Sequence, residues 1–179
     1  MREDKYAILV DGSNLYATAR LIDKQIDYRV MLKMFPGRLF RALYFTALLP
    51  RDVQSGLRKT VDFMEYNGWS VIQKEARVFE GDQGERKIKG NMDMEIAIHA
   101  LRLAPFVETI YLFTGDGDFR VLVEELQRLG VRVVGISSLM TSPPMIADVL
   151  RRQLDEFIEL RTLNFIEQPA RVNRWNIRG

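Results

Sequence analysis

Short apolar runs alternate with longer amphipathic segments along almost the whole chain, and this alternation restricts the fold more than any other feature. Strand candidates are YAILV at Tyr6–Val10, LFRALYFTAL at Leu39–Leu48, WSVIQK at Trp69–Lys74, TIYLF at Thr109–Phe113 and VRVVGI at Val131–Ile136. Helix candidates fall between and after them, at Asn14–Asp23, Val30–Met34, Val53–Tyr66, Met92–Ala104, Phe119–Leu129 and Pro144–Leu154. Within Phe119–Leu129 the apolar residues Phe119, Leu122, Val123, Leu126 and Leu129 recur at helical spacing, and Gly130 supplies a left-handed stop. Repetition of strand, helix and strand predicts a mainly parallel sheet with helices on both faces, because right-handed crossovers return each helix to the sheet. In such sheets function gathers at the carboxyl edge of the strands.

At 179 residues and 47% hydrophobic content, one domain is the expectation. No apolar run reaches the roughly 18 to 20 residues that span a bilayer, and the start, MREDKYAILVDG, has no small-residue cleavage site behind a long apolar core. The expectation is a soluble, uncleaved protein. The absence of cysteine rules out disulfides, thiolate nucleophiles and sulfur-ligated metals, and fits a reducing cytoplasm. His99 is the only histidine, so a multi-histidine zinc site and most serine-triad chemistry are excluded. A net charge of +2 falls short of the cationic face of a dedicated duplex binder. Basic residues do cluster locally: Arg86, Lys87 and Lys89 in the stretch Glu75–Asn91, which reads as a hairpin or flap, and Arg171, Arg174 and Arg178 beside Trp175 in the tail. Either group is solvated surface or a phosphate contact.

Four aspartates are expected at the carboxyl edge. Asp11 follows YAILV directly, Asp116 and Asp118 follow TIYLF in the run TGDGD, and Asp93 opens a helix that must start at that same edge. Singly, each has an ordinary explanation as a turn residue or helix cap. Together they would repel one another and raise each other's pKa unless a cation neutralised them. Oxygen-only ligands select a hard ion such as Mg²⁺ or Mn²⁺. Ser13 and Thr114 add hydroxyls, and Asn14 adds an amide able to orient a water, a ligating carboxylate or a phosphate oxygen. Lys89, just upstream of Asp93, could meet a substrate phosphate.

Competing motifs are missing. An EF-hand starting at Asp116 would need an acid or amide where Arg120 stands and a bidentate acid where Gln127 stands. Neither GxxxxGK[ST] nor a GxGxxG after the first strand occurs, which argues against a nucleotide cofactor. Ser13 stands where a haloacid-dehalogenase-like site wants its second acid, and Leu15 where an integrin-type DxSxS site wants its last serine.

The segments VDGSNLY (Val10–Tyr16), KGNMDMEIAIHAL (Lys89–Leu101) and FTGDGDFRVLVEELQRLGVRVVGI (Phe113–Ile136), with the later SSLMTSPPMIADVLRRQLDEFIEL, resemble the LabA-like branch of the NYN domains, relatives of the PIN-like nucleases. The likeness spans about Tyr6 to Leu160. It implies a PIN-like three-layer α/β/α sandwich whose mainly parallel sheet has the strand order 3-2-1-4-5. It also implies a divalent metal, Mg²⁺ or Mn²⁺, held by acids, and phosphodiester hydrolysis, usually of RNA, giving a 5′-phosphate and a 3′-hydroxyl. Carried over by motif, Asp11 and Asn14 match the first acid and amide, Asp93 the acid opening the central helix, and Asp116 with Asp118 the SGDxDF-type pair, Thr114 taking the serine place. His99 stands where related sequences often carry an acid. Six residues past Asp93, it lies roughly 9 Å along the helix and about 120° around it, away from a shared ligand shell.

The expectation is a metal-dependent ribonuclease occupying residues 1–163, with a basic tail at 164–179. Asp11 and Asp116 would be the principal ligands, with Asp93 and Asp118 direct or water-mediated. Ser13, Thr114, Arg86, Lys87 and Lys89 would meet the substrate. RNA is expected before DNA, although the chemistry admits both. Phe79 and Trp175 are candidates to stack on bases. Two other readings use the same residues: an RNA-binding module without turnover, and a homo-oligomeric regulator joined through Pro144–Leu154 and the tail.

Overall fold

The run Lys5–Asp11 is buried at every position after Lys5, the pattern of a strand covered on both faces. In the computed structural model, which describes residues 4–48, 56–80, 86–164 and 166–167, this strand, β1, lies in the middle of a six-stranded sheet. The elements follow in chain order as α1 (Gly12–Leu21), β2 (Gln25–Ile26), α2 (Tyr28–Met31), β3 (Arg38–Leu48), α3 (Gly56–Tyr66), β4 (Ser70–Glu75), β5 (Arg77–Glu80), β6 (Arg86–Lys89), α4 (Asp93–Leu103), β7 (Thr109–Phe113), α5 (Arg120–Arg128), β8 (Arg132–Ser137), α6 (Asp148–Gln153), β9 (Glu156–Glu159) and β10 (Ile166–Glu167).

The main sheet runs β4-β3-β1-β7-β8-β9, with every neighbouring pair parallel. The five expected strands keep the order 3-2-1-4-5, and β9 extends the sheet beside β8 as a sixth. Its sequence, EFIE, begins and ends in acids, and those acids serve the edge. Glu156 pairs with Arg132 at 2.7 Å, and Glu159 accepts the backbone N–H of Leu139 at 2.8 Å. The expected helix at Pro144–Leu154 shrinks to Asp148–Gln153 because the preceding backbone is engaged elsewhere. Met145 N–H donates to Ser138 C=O at 2.8 Å, and Ala147 N–H donates to Gly115 C=O at 2.9 Å.

Alternate residues of β1 feed two separate cores, as the two-residue period of a strand requires. Ala7 and Leu9 join Phe45, Ile96, Ala100, Leu126 and Leu150 beneath α4, α5 and α6. Tyr6, Ile8 and Val10 join Leu15, Met31, Tyr44, Met64 and Trp69 beneath α1, α2 and α3. The result is an α/β/α sandwich, built from strands whose apolar residues face both helix layers.

The stretch after β4 forms the expected hairpin, β5 pairing antiparallel with β6 from Arg77 opposite Lys89 to Glu80 opposite Arg86. The side chains of Phe79, Arg86, Lys87 and Lys89 lie outside the described residues, as do residues 53–55 of the expected third helix and Arg171, Arg174, Trp175 and Arg178 of the tail. Beyond Leu163, β10 pairs antiparallel with β2. Among the described residues no helix is long and apolar enough to cross a membrane.

Candidate metal centre

Asp11 ends β1 and caps α1, since its backbone is extended while its Oδ1 accepts the Asn14 N–H at 3.2 Å. Ser13 Oγ–H also donates to Oδ1, at 2.9 Å, and Thr114 Oγ1–H donates to Oδ2 at 3.1 Å. The carboxylate is 8% exposed and is therefore oriented by three donors from two segments. Gly12 is required beside it: a Cβ there would sit 2.6 Å from Phe45 O and 2.7 Å from the Tyr44 hydroxyl.

The TGDGD run leaves β7 as a tight turn. Thr114 Oγ1 accepts the Asp116 N–H at 3.3 Å while donating to Asp11, so one hydroxyl links two of the acids. Asp116 Oδ1 in turn accepts the Asp118 N–H at 3.0 Å. Gly115 is held at both ends, its N–H donating to Asn14 Oδ1 at 3.1 Å and its C=O accepting from Ala147. Asn14 thus uses its oxygen on the backbone and presents its NH₂ group as a donor.

Asp93 is the first residue of α4, where the helix dipole favours a negative charge. Asn91 orients it twice: Asn91 Nδ2–H donates to Asp93 Oδ2 and the Asp93 N–H donates to Asn91 Oδ1, both at 2.6 Å. Asn91 was not among the residues singled out from the sequence, although an amide two residues before a helix-opening acid is the usual signature of such a turn. Asp93, Asp116 and Asp118 each offer a carboxylate oxygen, and these atoms all lie within 4.8 Å of one another. Asp11 is not one of this trio, although it was expected as a principal ligand. It stands beside the trio, bound to Thr114.

The profile of the NYN domain matches residues 5–163. The chain belongs to the NYN domain family. It is 29% identical over 177 residues to the Low amplitude and bright protein LabA of Synechococcus elongatus, which covers 95% of this chain and 91% of that one, and is a LabA-like NYN domain. A solved structure of a protein of unknown function from Vibrio parahaemolyticus superposes with a TM-score of 0.72 at 24% identity, over 89% of this chain and 94% of that one, and so shares its fold.

In this NYN domain Asp93 senses the other acids. Burial raises the pKa of Asp93 above its ordinary value; the hydrogen bond from Asn91 opposes this, and the charges of Asp116, Asp11 and Asp118 add to the rise. All four carboxylates therefore share one electrostatic environment, and an all-oxygen donor set of this kind fits a hard divalent cation. His99 lies apart from them, its ring edge-to-face against Phe45 at 5.6 Å. Burial, reinforced by the Arg102 charge and opposed by Glu95, lowers the His99 pKa, so the imidazole is neutral at pH 7.

A pH dependence follows. The raised Asp93 pKa makes the native state the tighter proton binder. Its contribution to stability is complete below the unfolded-state value, about pH 4, and is lost as pH rises through the folded value. A divalent ion binds the deprotonated form and works in the opposite direction. The gain in melting temperature on replacing EDTA by Mn²⁺ is therefore expected to grow between pH 5 and pH 7.5, as thermal melts at a series of pH values would show. A gain independent of pH would contradict this account of Asp93.

Proposed function

We propose that this NYN domain is a divalent-metal-dependent nuclease that hydrolyses phosphodiester bonds, RNA being its substrate class. The observation that carries the reading is the convergence of Asp93, Asp116 and Asp118, with Asp11 alongside, at the carboxyl edge of the central strands. Family membership supports the same class of chemistry.

Asp93, Asp116 and Asp118 would hold the ion, and Asp11 would join them directly or through water. When bound, Mg²⁺ or Mn²⁺ supplies Lewis acidity toward a phosphoryl oxygen and lowers the pKa of a water. The chain supplies the positioning. Thr114 and Ser13 keep Asp11 aimed, each holding one of its carboxylate oxygens by a hydroxyl hydrogen bond. The free NH₂ of Asn14 is placed to donate to a non-bridging phosphate oxygen. In-line attack by water with the 3′-oxygen leaving gives a 5′-phosphate and a 3′-hydroxyl. The 2′-hydroxyl takes no part, so preference for RNA over DNA rests on contacts to the sugar. Arg86, Lys87 and Lys89 are retained as phosphate contacts from the hairpin, and the cysteine-free composition fits a cytoplasmic enzyme.

The direct test is cleavage of end-labelled single-stranded RNA and matched DNA in Mn²⁺, in Mg²⁺ and in EDTA. Cleavage that requires the metal is expected. Binding of RNA with no turnover by a folded protein in either metal would replace the nuclease by the RNA-binding module.

A further inference from the structure

The outer face of α1 carries an exposed aromatic ring that the nuclease scheme leaves unused. Tyr16 is 62% exposed, and the guanidinium of Arg20 lies over its ring at 5.8 Å from the centroid. Ser13, Tyr16 and Arg20 fall within about 60° of one another around the helix, the first step rising about 4.5 Å and the second about 6 Å. The stripe begins at the acids, because Ser13 Oγ is hydrogen-bonded to Asp11. Its charge suits a polyanion: the α1 sequence GSNLYATARL contains no carboxylate, and among the described residues no carboxylate pairs with Arg20.

From this geometry we infer that the Ser13–Tyr16–Arg20 stripe is a subsite for a single strand of nucleic acid, in which Tyr16 stacks on one unpaired base of the chain leaving the metal centre. The inference rests on the nuclease reading for the direction in which the strand runs. Arg20 holds one face of the ring by a cation–π contact and leaves the other to a base, while its guanidinium stays within reach of the following phosphate. The rise between Ser13 and Arg20 is of the order of one to two nucleotide steps, so a strand with its scissile phosphate at the acids brings a neighbouring base to the ring. Because every base has a π face, such a subsite selects for unstacked strand and not for sequence. A duplex keeps its bases stacked and gains nothing from it.

The test measures binding of a 5′-fluorescein-labelled oligoadenylate by anisotropy in EDTA, where hydrolysis is off, using the full chain. Tyr16→Ala is expected to weaken binding about tenfold and Tyr16→Phe to leave it unchanged, in line with the usual effect of removing one stacking ring. Placing one abasic residue at successive positions of the oligomer should erase the difference between parent and Tyr16→Ala at a single position. Equal binding by parent and Tyr16→Ala, an abasic series with no such position, an equal loss on duplex, or no binding by the folded parent would each overturn the subsite. The outcome separates from that of the nuclease reading. Abasic coupling in a protein that does not cleave in Mn²⁺ keeps the subsite and removes the enzyme, whereas metal-dependent cleavage without coupling does the reverse.

Discussion

Asp116→Asn is expected to lower metal-dependent cleavage on the order of 10³-fold, the loss of several kcal/mol of transition-state stabilisation that a correctly held ion provides. Asp116 sits between the other acids: its Oδ1 holds the Asp118 N–H, its own N–H is held by Thr114, and its oxygen lies within 4.8 Å of those of Asp93 and Asp118. Asparagine keeps an Oδ1 for the Asp118 N–H and so preserves the turn, but it withdraws a negative charge from the centre of the group. The same change relieves repulsion on Asp93, so the variant should melt no lower than the parent in EDTA, and higher at pH 7 than at pH 5 relative to it. Single-turnover cleavage in Mn²⁺ beside melts in EDTA reads both quantities. Activity retained within a factor of a few would remove Asp116 from the ion's ligands. A collapse of stability in EDTA would make the activity loss uninformative about metal, in which case Asp11→Asn, carried by a different segment, gives the second measurement.

Among the described glycines, Gly115→Ala should be the most destabilising change. A Cβ at this position would lie 1.6 Å from the Met145 carbonyl oxygen, 2.6 Å from its carbon and 2.9 Å from Ile146 Cα, all backbone atoms that cannot rotate away. Neither side can retreat cheaply. Gly115 is tied to Asn14 through its N–H and to Ala147 through its C=O, and Ser137 Oγ–H donates to the Met145 carbonyl at 2.8 Å. A cost of about 3 kcal/mol or more is expected, at the upper end of overpacking. Gly130→Ala is the natural comparison. It has φ +85 and open space around it, so only the left-handed backbone is penalised, by about 1 kcal/mol. Denaturant unfolding of the two variants separates collision from conformation. Comparable midpoints for both would refute the close approach of the Met145 carbonyl.

The acids were legible because each directly follows or opens a strongly periodic segment: Asp11 after YAILV, Asp116 and Asp118 after TIYLF, Asp93 before an amphipathic helix. A parallel sheet then leaves one edge for all of them. What joins them to the rest of the molecule was not legible. Nothing local in SSLMTSPPMIA says that Met145 and Ala147 reach back to Gly115, because their partner is some thirty residues earlier and the contact uses backbone atoms common to every residue. The same holds for Asn14, whose side-chain oxygen is spent on a main-chain N–H 101 positions away. The strand EFIE escaped because four residues ending in charge have no period to detect, and its place is set by the edge of β8 and not by its own sequence. Helical geometry alone sets His99 off from Asp93 along α4, but its packing on Phe45 depends on which sheet face α4 covers.

The central position of β1 also governs when the group of acids is complete. Asp11 is made early, but Thr114, which orients it, is 103 positions further along, and β7, the strand that closes the second flank of β1, follows α4. A growing polypeptide that has delivered β1 and β3 holds a single carboxylate at a half-open sheet. No fragment that stops short of the TGDGD turn carries all four carboxylates, so the acidic group exists as a set only in a chain that already contains β7.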